Sequence, residues 1–217
     1  MKNLLGSLSF IALSSVAFGQ AQDKGAISFS AGYDAGIHGT IYTSQYQNNS
    51  PTTPDTSAAG TQLFRLNAQY NIFNFLSAGL DFRTGSYIED PENATAAGNK
   101  VSMYGLSLRL YPVNKDKFVW YVGANFGGSR LTINRVYTFI ISVPAQYKFK
   151  SSHTSFETGF NWYFTEKIGM NFGLGCSSQN FLMTYYKWNG EEQDLSDWTN
   201  ELTTKGIHFN LGLAVHL

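Results

Sequence analysis

The feature that most constrains this chain is a two-residue hydrophobic period that returns eight times. In the first run Ile27, Phe29, Ala31, Tyr33, Ala35 and Ile37 alternate with Ser28, Ser30, Gly32, Asp34 and Gly36. Successive side chains of an extended strand point to opposite faces, so this pattern specifies strand and not helix. The apolar members of the later runs are Phe64 to Ile72, Leu76 to Phe82, Tyr104 to Leu110, Trp120 to Phe126, Phe156 to Trp162, Met170 to Cys176 and Ile207 to Leu217. About ten alternating residues is the length with which a tilted strand crosses a bilayer.

The connections between runs sort into two kinds. Three are short, near Phe73-Asn74, Val113 to Lys117 and Thr165 to Lys167, and they alternate strictly with four long polar ones at 38–61, 85–100, 130–151 and 178–204. Pro112, which has no N–H to give to a ladder, is expected to end the fourth strand. This layout predicts an all-β fold: a closed antiparallel transmembrane β-barrel of about eight strands, with short periplasmic turns and long extracellular loops. An even strand number leaves both termini on one side. A soluble sandwich or lipocalin-like barrel would instead bury the apolar face and leave the Gly, Ser, Asn, Arg and Asp face as its surface. That face suits a narrow polar interior better. Tyr70, Phe75, Phe118, Trp162 and Phe164 fall near the short turns, where a lower aromatic girdle belongs.

The amino terminus reads as an export signal. Met1, Lys2 and Asn3 precede an apolar run from Leu4 to Phe18 that closes on Ala17-Phe18-Gly19, too short for a spanning helix. Residues 1–19 are expected to be removed between Gly19 and Gln20, with a cut after Ala21 as the competitor, leaving 20–217 as one barrel domain. Fifteen Lys and Arg balance fifteen Asp and Glu, which leaves no basic stripe for nucleic acid. A lone cysteine, Cys176, excludes an internal disulfide and a Cys-based zinc site. His38, His208 and His216 show no metal-ligand spacing, so neither metal nor cofactor is expected.

The closing run His208-Phe209-Asn210-Leu211-Gly212-Leu213-Ala214-Val215-His216-Leu217 resembles the last strand of small eight-stranded bacterial outer-membrane β-barrel proteins. Such strands commonly end in an aromatic residue, and this one ends in Leu217. The resemblance spans the mature chain and concerns architecture. It implies a free-standing barrel in the bacterial outer membrane, inserted by the barrel-assembly machinery, surrounded by outer-membrane lipid and monomeric, with an extracellular ligand reached through the long loops as a further partner.

Three acids and three arginines fall on the polar face: Asp34, Arg65, Asp81, Arg83, Arg109 and Glu157. A basic residue facing lipid at the midplane is unfavourable by about 2–4 kcal/mol, so all six belong in the lumen, where they should pair. An eight-stranded interior is only just filled by side chains, which favours a structural network over a pore. The expected role is therefore non-catalytic, structural or surface-interacting, with a narrow channel for small solutes and a lipid-modifying enzyme as alternatives. For the enzyme, His153, Ser155 and Glu157 share one face, yet same-face neighbours stand about 6.6 Å apart along a strand, beyond the reach of a nucleophile and its base. Glu166, another acid to consider, lies near a short turn, while His153 is expected at a loop edge and Ser155 as lumen filler. The sequons at Asn48 and Asn93 carry little weight in a bacterial export product. Val136 to Tyr147 is expected either to extend the barrel above the membrane or to offer a sticky hairpin.

Overall fold

The computed structural model describes residues 22–47, 53–90, 94–138 and 142–217. The expected cleavage site at Gly19 and Gln20, both sequon asparagines, and Phe139 to Ile141 of the apolar hairpin lie outside the described residues. Eight long strands form the wall: β1 (Ile27–Tyr46), β2 (Asp55–Phe73), β3 (Leu76–Glu89), β5 (Lys100–Lys115), β6 (Phe118–Thr138), β7 (Ser142–Tyr163), β8 (Ile168–Trp188) and β10 (Trp198–His216). Two short segments, β4 (Ala94–Ala96) and β9 (Glu191–Glu192), attach to β6 and β8 in the upper hairpins.

Each wall strand pairs antiparallel with its neighbours, and β10 pairs β1 from Ser28↔His216 to Tyr46↔Trp198, which closes the ring. Closure removes the unpaired N–H and C=O rows that an open sheet presents, a requirement for any sheet placed in lipid. Gln22 and Leu217, the first and last described residues, lie at the end bearing the short turns, called the lower end below, and the long hairpins form the upper end. The alternation sets what faces where. Phe29, Tyr33, Ile37, Leu80, Leu106, Trp162, Leu174 and Leu213 are exposed on the outside, while Asp34, Arg65, Asn67, Asp81, Ser107 and Glu157 are buried within. All five aromatics of the expected lower girdle are outward and exposed.

Two local expectations are corrected. Most of the long polar connections are not loops: β6 and β7 pair without a break in register from Phe118↔Trp162 up to Thr138↔Ser142, and β1, β2, β8 and β10 also run far past the apolar band. Polar residues above the band still pair as strands because the ladder below supplies register, a tertiary effect invisible to local pattern. Nor does Pro112 end its strand. β5 continues to Lys115 through a register shift between Leu110 and Val113, and a bulge is where a strand tolerates a missing donor.

Candidate functional site

The lumen is filled in three tiers. At the lower end Gln22 is fully buried and acts as a stopper. Its peptide N–H donates to Asn114 Oδ1 (3.0 Å), its side-chain amide donates to the Tyr163 hydroxyl (2.8 Å), its Oε1 accepts from Asn71 (2.9 Å), and its carbonyl accepts from Asn114 Nδ2 (2.9 Å). Nothing in the strand pattern points to Gln22, because it precedes β1 and enters the barrel as a plug.

The middle tier holds the six charged residues of the polar face together. Arg65 donates to Asp81 (2.6 Å) and, through both terminal nitrogens, to Glu157 (2.7 and 3.0 Å). Arg83 donates to Asp81 (2.7 Å) and Asp34 (3.2 Å), and Arg109 donates to Glu157 (3.1 Å) while lying 4.2 Å over the Tyr121 ring. Three cations thus meet three anions, each nearly fully buried, in a connected cluster rather than isolated pairs. His208 joins it, with Nδ1 3.1 Å from Asp34 Oδ2. Its inward position on the last strand was legible from alternation, but its contact with Asp34 requires the β1–β10 closure that no local pattern reveals.

The upper tier is apolar. Leu63, Val101, Met103, Leu131, Ile133, Phe149, Phe181, Met183 and Leu202 face inward and form one cluster. Above it a cavity of about 220 Å³ opens, with Ile133, Phe149, Met183 and Leu202 on its floor and Tyr42, Asp55, Tyr87, Glu89, Arg135, Tyr137 and Tyr147 around its sides. Arg135 donates two hydrogen bonds to the Glu89 carboxylate (2.9 and 3.0 Å), and the Tyr137 and Tyr147 hydroxyls meet at 3.2 Å. Burial works to lower the Arg135 pKa, but Glu89 and Tyr137 outweigh it and hold the guanidinium above its ordinary value. Burial pushes the Tyr87 and Tyr147 hydroxyls up, with Glu89 adding to the first and Tyr137 to the second, so both remain donors at neutral pH. The mouth therefore joins an apolar floor to fixed polar groups, the usual composition of a small-molecule site.

The residues considered for catalysis do not meet. His153 is buried on the inner face of β7 and not at a loop edge, since β7 continues upward past it; its Nδ1 faces the Gln179 amide at 3.2 Å. Ser155 Oγ accepts from Asn125 Nδ2 (3.1 Å), and Glu157 is occupied by arginines. Glu166 is exposed between β7 and β8 at the lower end.

Wall, tiers and mouth together define a closed β-barrel of the bacterial outer-membrane type. The fold is shared with OprG of Pseudomonas aeruginosa, at 11% identity and TM-score 0.61, the match covering 92% of this chain and 99% of that one. The chain also aligns with the outer membrane protease OmpT of Escherichia coli, at 12% identity and TM-score 0.48 over 94% of this chain and 100% of that one. The amino-terminal β-barrel domain of Pseudomonas aeruginosa OprF aligns at 12% identity and TM-score 0.38, over 82% and 98%. At 11% identity, the match to OprG speaks to fold alone. No protein-family model matches the sequence, and no curated protein matches it.

Proposed function

We propose that this protein is a non-catalytic barrel of the bacterial outer membrane that keeps its lumen shut and works through its extracellular end, where the mouth cavity receives a small amphipathic molecule. The observation that carries this reading is the vertical order of the interior: stopper, ion-pair cluster and apolar cluster lie beneath a cavity at the upper end. An apolar portion of the guest would rest on Ile133, Phe149 and Met183, and its polar group would meet the tyrosine hydroxyls and the Arg135–Glu89 pair. Mature chain ends at the periplasmic side and long hairpins outside follow from the even strand number and the unequal connections.

Conductance separates this from the channel reading. Purified mature protein in planar bilayers is expected to give no discrete current steps, because three filled tiers leave ions no hydrated path; regular steps would favour the channel. Activity separates it from the lipid-modifying reading. Mass spectra of lipid A from cells with and without the protein are expected to coincide, and an acyl chain lost only when the protein is present would sink the non-catalytic role.

A further inference from the structure

Just above the apolar band the outer wall becomes electrically lopsided. On three adjacent strands Lys100 (β5), Arg130 (β6), Lys148 and Lys150 (β7) all point outward and are exposed. Arg130 and Lys150 are direct register partners, and Lys100, Thr132 and Lys148 form the next row up. Rows of one face are about 6.6 Å apart and strands about 4.8 Å apart, so the four cations occupy a patch about 10 Å wide. Like charges placed directly opposite each other on a sheet are destabilising. Among the described residues none of the four forms an ion pair, and the Lys148 ammonium nitrogen lies 4.3 Å over the Tyr185 ring. The outward positions in register beside them are neutral: Ser86 on β3 beside Lys100, Ser102 on β5 beside Arg130, and Leu182 on β8 beside Lys150.

The height of the patch identifies its occupant. Phe126 and Tyr104 close the apolar band on β6 and β5, and Arg130 and Lys100 each stand four residues higher. Four residues advance about 13 Å along a strand, or about 10 Å along the membrane normal at a tilt near 40°. Long basic side chains bend toward the interface from such positions, which brings their charges to the headgroup layer. An anion held there belongs to lipid, since acyl chains bring it to the wall, and it would relieve the Arg130–Lys150 repulsion.

We propose that Lys100, Arg130, Lys148 and Lys150 form a docking site for the phosphate groups of a phosphorylated glycolipid of the lipid A type in the outer leaflet. This rests on the outer-membrane placement proposed above. Docking would hold one lipid against β5, β6 and β7 and give the barrel a preferred azimuth toward its surroundings. Arginine offers the fork that grips two phosphate oxygens, and the three lysines add point charges around it.

The test uses mature protein in neutral detergent, titrated with bis-phosphorylated lipid A and read by native mass spectrometry. The K100Q/R130Q/K148Q/K150Q variant is expected to bind lipid A about tenfold more weakly or worse, given the attraction each basic residue adds near an anionic surface. The charge-matched K24Q/K115Q/K117Q/K167Q variant, altered at the lower end, should bind as the parent does, and so should K100R/K148R/K150R. Circular dichroism verifies that each is folded, and if the glutamine variant does not fold, the dephosphorylated lipid A titration of the parent protein still decides. Equal binding by the upper glutamine variant, equal loss in the lower one, or equal retention of dephosphorylated lipid A or phosphatidylglycerol would overturn the site. Gradient fractionation of cell membranes is scored separately. Protein absent from the outer membrane defeats the placement itself, whereas protein present there with unaltered lipid A binding in the upper variant defeats only the docking site.

Discussion

Replacing Glu157 with glutamine is expected to lower the unfolding free energy of the barrel in detergent by about 3–5 kcal/mol, the range seen when one partner is removed from a buried ion pair. The side chain is completely shielded, accepts two hydrogen bonds from Arg65 and one from Arg109, and lies 3.8 Å from Arg83. Glutamine preserves the shape but deletes the negative charge and turns an NH2 donor toward guanidinium donors. Three buried cations would then face only Asp34 and Asp81. The mouth pair gives the contrast. Arg135 retains 29% side-chain exposure, so Arg135→Met is expected to shift stability by no more than about 1 kcal/mol after solvent screening. The double variant Arg65→Met with Glu157→Leu should recover part of the single-variant loss, because it restores a balance of two cations and two anions while Arg109 still lacks its carboxylate. Urea titrations of the four proteins check all three values. A neutral Glu157→Gln would mean that water already screens the cluster, and the shut-lumen reading would yield to the channel.

How far the sequence reaches is visible residue by residue. The inward placement of Asp34, Arg65, Asp81, Arg83, Arg109 and Glu157 follows from period two alone, because one register fixes every side chain of a strand relative to its apolar face. The partners do not follow. Arg65 and Glu157 are 92 positions apart and lie on β2 and β7, which share no ladder, so their contact spans the lumen and depends on the barrel's closure and diameter. Gln22 was equally hidden, since a residue outside a strand has no alternation to place it. The apolar upper tier escaped for a different reason. In the long connections Leu131, Ile133, Phe149, Phe181 and Leu202 stand among polar residues, and their inward period is recognised only once β6, β7, β8 and β10 are known to continue upward. Pattern therefore defined the membrane-crossing wall, and the mouth that carries the proposed function lay where pattern was weakest.

Gly159→Val is expected to destabilise the barrel by about 3 kcal/mol or to prevent its assembly, the upper range for forcing extra carbon into a filled interior. Gly159 lies on β7 facing the lumen, and a Cβ there would run into the Phe172 carbonyl oxygen of β8 and approach the Tyr121 hydroxyl to 2.6 Å. Gly173 across the ladder is likewise bare, and a Cβ on it would stand 2.8 Å from the same hydroxyl. The two glycines leave the volume that the Tyr121 side chain occupies. That ring carries the Arg109 guanidinium at 4.2 Å, and its hydroxyl accepts from Asn171 at 3.3 Å, so displacing it would also disturb the Arg109–Glu157 contact. Gly39→Ala is the control: on β1 the nearest atom to its added carbon is the Lys205 carbonyl oxygen at 3.9 Å, and the change should stay within about 0.5 kcal/mol. Adding Tyr121→Leu to Gly159→Val separates two sources of strain. Partial recovery is expected, because the smaller side chain vacates the lumen while the collision with the β8 backbone remains. A Gly159→Val protein as stable as its parent would show spare room at the level of the charged cluster, which is incompatible with an interior sealed by its own side chains.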